Sequence, residues 1–223
     1  MFGFLDAKKS FWNWFVANSD RLLKAPLGPS PEFEDLKRRL HKVNPNLVLS
    51  LGSDSAPSRQ LVISADGDRS NFHIVEELVD LAPSVPGWTI VRFKPREPNY
   101  HRHVFQMGKL EIRPEQIRYM LLVGWNQAAT QFHLAVDLFI EGCAQQNQPE
   151  YVRVAFILVD GALGEYDVAM KMSRMRVFPM SAAPETAGAW DTFVEAFDNA
   201  FEDLLAQAAN RAAAHQGRQY PGK

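Results

Sequence analysis

Side chains capable of chemistry stand at three places in this chain. Counting from Asp66, oxygen-bearing residues fall at positions 1, 3 and 5 (Asp66, Asp68, Ser70), with Glu77 at position 12. That is the ligand spacing of a calcium-binding loop. Position 6, however, is Asn71 where such a loop needs glycine, and Ser70–Glu77 reads as helix, which draws Glu77 away from the aspartates. A turn followed by a helix cap explains the same residues, so Asp66 and Asp68 stand only as candidate ligands. His101 and His103 project to one side if their segment is extended, a spacing that suits two metal ligands. Asp160 and Glu165 would form a carboxylate pair at the end of a strand, the candidates for acid–base catalysis. The alternative for Asp160 is a helix cap.

Two further features concern binding. Lys94–His103, KPREPNYHRH, is the most cationic stretch, and Arg92, Lys94, Arg96 and Arg102 suit an acidic partner or a phosphate. Glu97 dilutes it, and no glycine-rich loop accompanies it to cradle a phosphate. Asn18 falls inside the apolar arc of an aromatic helix, where a buried amide without partners costs on the order of 1–3 kcal/mol. A bond to the backbone of a sheet or loop meets that need. The single cysteine, Cys143, has no adjacent cation to activate it.

The elements that must position these groups centre on Arg59–Pro95. Gln60–Ala65 reads as a strand ended by Asp66-Gly67-Asp68, and Ser70 as the N-cap of a helix. That helix carries Phe72, Ile74, Val75, Leu78 and Leu81 on its apolar side, and Pro86-Gly87 turns the chain into a second strand, Trp88–Phe93. The crossover is long enough for the two strands to be parallel. Upstream lie an aromatic helix from Ser10 to about Lys24, a helix opened by Ser30-Pro31, and a strand Leu47–Leu51 that forms a hairpin with Gln60–Ala65. Downstream, Phe105–Ile112 reads as a strand with Gly108 as a bulge. Period-two alternation at Ile117–Val123, Phe132–Ile140 and Val152–Leu158 predicts a three-stranded antiparallel meander. With the tightest loops, Asp137 then lies across from Arg118 and Arg153. Ala162–Met170 reads as a short helix, Arg174–Phe178 as an edge strand, Ala189–Ala213 as a long helix, and 214–223 as a disordered tail.

The chain resembles a family of uncharacterised bacterial proteins. Trp12-x-x-Phe15-x-x-Asn18, Leu61-Val62-Ile63-Ser64-Ala65-Asp66-Gly67, Pro86-Gly87-Trp88 and Asp160-x-x-Leu163-Gly164-Glu165 carry the resemblance. It implies a bacterial cytoplasmic protein and transfers no activity or site residue.

Composition sets the outer bounds. With 223 residues, 46% hydrophobic and 22% charged, the chain can bury a sizeable core. A net charge of −2 argues against a general binder of nucleic acid or anionic membrane. A lone cysteine fits a reducing compartment, no secretion leader is recognisable, and no apolar run is long enough to span a membrane. The expectation is one α+β domain over 1–213: a mainly antiparallel mixed sheet with helices packed on one face and a long C-terminal helix. For function it is a non-enzymatic protein-interaction or regulatory module, an adaptor or immunity-like protein, with a protein partner or a second copy and no cofactor. The alternatives are a hydrolase or metal-dependent enzyme using the loop acids and histidines, and nucleic-acid binding through Arg92–His103.

Overall fold

A helix or strand that is apolar on one side must bury that side against a second layer. The computed structural model describes the backbone of residues 2–55, 58–127 and 130–219, and side chains for 6–52, 58–127 and 130–213. It divides into two compact units. The first holds the residues up to Pro95 together with Gly164–Tyr166, and the second holds Arg96–Leu163 and the residues from Asp167 onward. The architecture is α+β: mostly antiparallel mixed sheets with packed helices and a long C-terminal helix.

In the first unit α1 (Phe2–Lys24) begins well before Ser10 and buries Phe11, Trp12, Phe15 and Leu22. Its rings meet edge to face, Phe15 reaching Trp88 at 5.0 Å, and the Trp12 indole N–H donates to the Leu78 carbonyl at 2.7 Å. In α2 (Pro31–Val43), the Ser30 hydroxyl accepts from the Phe33 N–H and Pro31 fills the first turn, as the sequence predicts. Strands β1 (Val48–Ser55) and β2 (Ser58–Ser64) form the expected hairpin, and β2 runs parallel to β3 (Trp88–Arg92) through α3 (Phe72–Asp80). The cap is not Ser70. Asp68 instead accepts from the Ser70 N–H and closes a single 3-10 turn ahead of α3. The carboxylate is the better acceptor, and it sits two residues upstream.

The second unit opens with a hairpin, β4 (Phe105–Met107) and β5 (Leu110–Ile112), with Gly108 at φ +62° in its turn. The bulged single strand expected there is thus two strands, because only glycine enters that region readily. The main sheet has the order β8-β7-β6-β9: β6 (Ile117–Trp125), β7 (Phe132–Ile140), β8 (Arg174–Pro179) and β9 (Gly188–Ala189). Leu134, Val136, Leu138 and Ile140 line its core face. Against that face pack α4 (Gln148–Leu163), with Val154, Val159 and Leu163, and α6 (Phe193–Gln219), with Phe193, Phe197 and Leu204. Between them α5 (Glu165–Lys171) starts after the break at Gly164.

Three expectations change here. Val152–Leu158 is helix, not a third meander strand. Its alternation was empty of information, since every residue from Val152 to Val159 except Arg153 is apolar and such a run suits either period. The buried positions 151, 154, 155, 159, 162 and 163 keep helical spacing, while Phe156 is 51% exposed. The register of β6 and β7 also shifts by two. Asn126 accepts from the Thr130 and Gln131 N–H groups, so the loop is wider than the tightest turn and Asp137 faces Met120. The charge row survives with another partner: β8 lies parallel to β7 and sets Arg176, not Arg118 or Arg153, beside Asp137 in a two-point ion pair at 2.8 and 2.6 Å. Finally, α6 continues past Ala213 to Gln219. For 220–223, the expected tail lies outside the described residues.

Candidate functional site

In the first unit, the polypeptide after β2 and after β3 turns its amides inward. Asp66 and Gly67 take φ of +52° and +79°, and Phe93 takes +64°. Left-handed backbone is ordinary for glycine and tolerable for aspartate, but for an aromatic residue it costs on the order of 1–2 kcal/mol. The outcome is three N–H groups converging on one carboxylate. Glu165 Oε1 accepts from Ala65 N–H at 2.9 Å and Gly67 N–H at 3.0 Å, and Oε2 accepts from Lys94 N–H at 3.0 Å. Glu165 returns its own N–H to the Lys94 carbonyl at 3.0 Å and is 1% exposed. Tyr166 stacks on Phe72 at 5.9 Å and lies 5.5 Å from Phe93, placing rings beside the carboxylate. The Lys94 ammonium pairs with Asp66 at 2.7 Å. Backbone concavities of this kind bind anions, and each amide-to-carboxylate bond is of the stronger, charge-assisted type.

The sequence-predicted residues part company. Glu165 is this buried anchor. Asp160 lies in the last turn of α4, rather than at a strand end or at the start of the helix that carries Glu165. Asp66 holds Lys94. Asp68 is occupied by Ser70 and Asn71, and the bond from the Ser70 hydroxyl, first among several, holds its carboxyl below the ordinary range. Glu77, the twelfth position of the calcium spacing, pairs with Lys8 of α1. His101 sits in the 3-10 turn Tyr100–Arg102, so the two histidines do not share a side of an extended segment. His103 instead meets Glu97 at 3.1 Å. Among the described residues no group of three histidine, cysteine or acidic side chains is placed to hold a metal ion. Asn18 donates to Trp14 of its own helix at 2.8 Å rather than to a sheet or loop.

The basic run is largely neutralised. In the first unit Arg92 pairs with Asp80 at 2.7 Å and Lys94 with Asp66. In the second, Arg96 grips Asp198 through two nitrogens at 2.6 and 2.8 Å, meets Asp167, and donates to the Leu163 carbonyl at 3.0 Å. The Asp198 bond leads in raising the guanidinium pKa, and the same bond lowers that of Asp198. Arg102 is exposed. Cys143 is buried, and burial pushes its thiol up, away from reactivity.

Also in the second unit, the two sides of the main sheet end differently. The β8 edge carries Arg174, Arg176 and Pro179, devices that discourage further pairing. On the other side, β9 covers β6 only at Arg118 and Tyr119. A chain with a Cβ at residue 188 would strike the Tyr119 ring, so Gly188 lets the short strand dock. Beyond it, residues 120–125, Met-Leu-Leu-Val-Gly-Trp, have no strand partner on that side among the described residues. The run holds neither charge nor proline, and Val123 is 57% exposed. Sequence alternation made this a strand; nothing in it showed that one side would stay open.

Near β9, a groove of about 360 Å³ is lined by His101, Glu115, Arg118 and Asp191 over the buried Trp190. The Tyr100 hydroxyl ties it together, accepting from the Val194 N–H and bonding the Trp190 carbonyl, each at 3.2 Å. Among the described residues no helix is long and apolar enough to cross a membrane. Comparison with known proteins adds no relative: no family model, no curated protein and no solved structure matches this chain.

Proposed function

We propose that this chain is a protein-interaction module that accepts a strand along the free side of β6. The observation that carries this reading is the uncharged, proline-free run 120–125 beyond β9. Strand addition is a recurring mode of recognition in which main-chain bonds supply affinity and alternate side chains supply specificity. Along six residues of an antiparallel edge, three turn both N–H and C=O outward, which permits about six bonds. At roughly 0.5–1.5 kcal/mol net each they contribute about 3–9 kcal/mol. Association costs about 4–15 kcal/mol in lost freedom. At the middle of these ranges backbone pairing falls short, and apolar contacts at exposed Val123 and its neighbours supply the difference. The strand comes from a partner protein or from a second copy of this chain.

The acids and histidines that would serve a hydrolase are engaged elsewhere, Glu165 by backbone amides, Asp66 by Lys94 and His103 by Glu97. This supports binding over catalysis.

The test sets wild type beside Val123→Lys in native pull-down and in light scattering after size exclusion. Wild type should run as a complex or oligomer, and the variant should lose it with an unchanged unfolding midpoint. A wild type that is a lone monomer and captures nothing overturns the reading.

A further inference from the structure

We infer that the concavity formed by Ala65, Gly67 and Lys94 is a carboxylate-binding site, which the chain fills with a ligand of its own, Glu165. Three observations converge on it. The first is geometric: two N–H groups at 2.9 and 3.0 Å on one oxygen and one at 3.0 Å on the other match the two-oxygen plane of a carboxylate. The second is conformational. Two non-glycine residues, Asp66 and Phe93, are held at positive φ around the carboxylate. A turn that merely reverses the chain has no need of an aromatic residue in that state, and such strain clusters at ligand clamps. The third is topological: the concavity lies beyond the carboxyl ends of the parallel neighbours β2 and β3, with α3 following β2. Open sheets with parallel strands place ligands at this end.

The bound group arrives on a short tether. Gly164–Tyr166 belongs to the first unit although the residues on either side belong to the second. A tethered ligand acts at an effective concentration in the millimolar range or above, so the wild type keeps external carboxylates out. The site becomes available to them once Glu165 is withdrawn or shortened, and the Lys94 ammonium, held on Asp66 at 2.7 Å, adds a favourable charge nearby.

The experiment uses the full chain carrying Glu165→Ala, titrated with sodium acetate against sodium chloride at equal ionic strength. Acetate at about 0.1 M should raise the unfolding midpoint by roughly 2–4 °C over chloride, and should shift the backbone amide resonances of Ala65, Gly67 and Lys94. If Glu165→Ala does not fold in chloride, recovery of folded protein in acetate is the same result, and failure to recover overturns the inference. Glu165→Gln fills the concavity without the charge and, like wild type, should not respond. A response of Glu165→Gln equal to that of Glu165→Ala marks a general salt effect and overturns the site. A stronger response to inorganic phosphate than to acetate overturns the planar class of ligand. None of these readouts depends on strand addition at β6, so the two proposals stand or fall separately.

Discussion

Backbone amides that lack a ladder partner occur in both units, and the chain treats them in opposite ways. At the ends of β2 and β3 it brings a carboxylate to them, and that carboxylate is itself buried. Along residues 120–125 of β6, beside apolar side chains, it gives them no strand partner on one side among the described residues. Donors sealed inside a unit must be satisfied internally or they cost free energy, whereas donors on a rim are satisfied by water until something better arrives. The first region is therefore where the fold is vulnerable, and the second is where it is available.

The largest expected effect breaks the first half of this contrast. Glu165→Ala removes the acceptor for three N–H groups, that of Ala65 buried and those of Gly67 and Lys94 partly so, and should destabilise the protein by about 3–5 kcal/mol in urea unfolding. Glu165→Gln should cost less, about 1–3 kcal/mol. Its carbonyl oxygen still serves Ala65 and Gly67, while its amide nitrogen opposes the Lys94 N–H. If the two variants lose equal stability, the carboxylate is not held as two distinct oxygens.

A smaller effect sharpens the comparison through an ion pair that is neither sealed nor open. Hydrogen bonding from Arg96 lowers the Asp198 pKa below its ordinary value of 3.8. A lowered folded-state pKa contributes stability that is complete above the unfolded value and is lost as pH falls through the folded one. Unfolding followed from pH 6 downward should thus weaken below about pH 3.8, and Arg96→Met should flatten that limb. The smallest effect on stability belongs to Val123→Lys, within about 0.5 kcal/mol of wild type, even as it abolishes association. A large loss of stability there would mean that the edge is already covered.

The chain passes between the units three times, after residues 95, 163 and 166. We propose that 1–213 nonetheless unfolds as one cooperative domain, to be checked by calorimetry as a single transition whose van't Hoff and calorimetric enthalpies agree.

What was legible in the sequence follows a physical line. The run Leu61–Gly67 and the helix behind it announce themselves because strand, turn and cap are local matters of φ, branching and short hydrogen bonds. Glu165 and Arg96 do not. Asp198 lies 102 residues from Arg96, and the partners of Glu165 lie 71 to 100 residues away and are amides, which every residue possesses and no letter distinguishes. The helix α4 is hidden for the opposite reason, since a run apolar at every position but Arg153 has no period to read. The strands β6 and β7 alternate cleanly and were found, but which side of a strand remains unpaired is a property of the whole sheet.

During synthesis, Glu165 leaves the ribosome 71 residues after Lys94. At roughly 5–20 residues per second that is an interval of about 4–14 s. Through it, the nascent N-terminal layers can collapse around their aromatic helix, yet Asp66 and Phe93 have no anion to hold their backbone in place. Assembly of that unit waits on translation of most of the other.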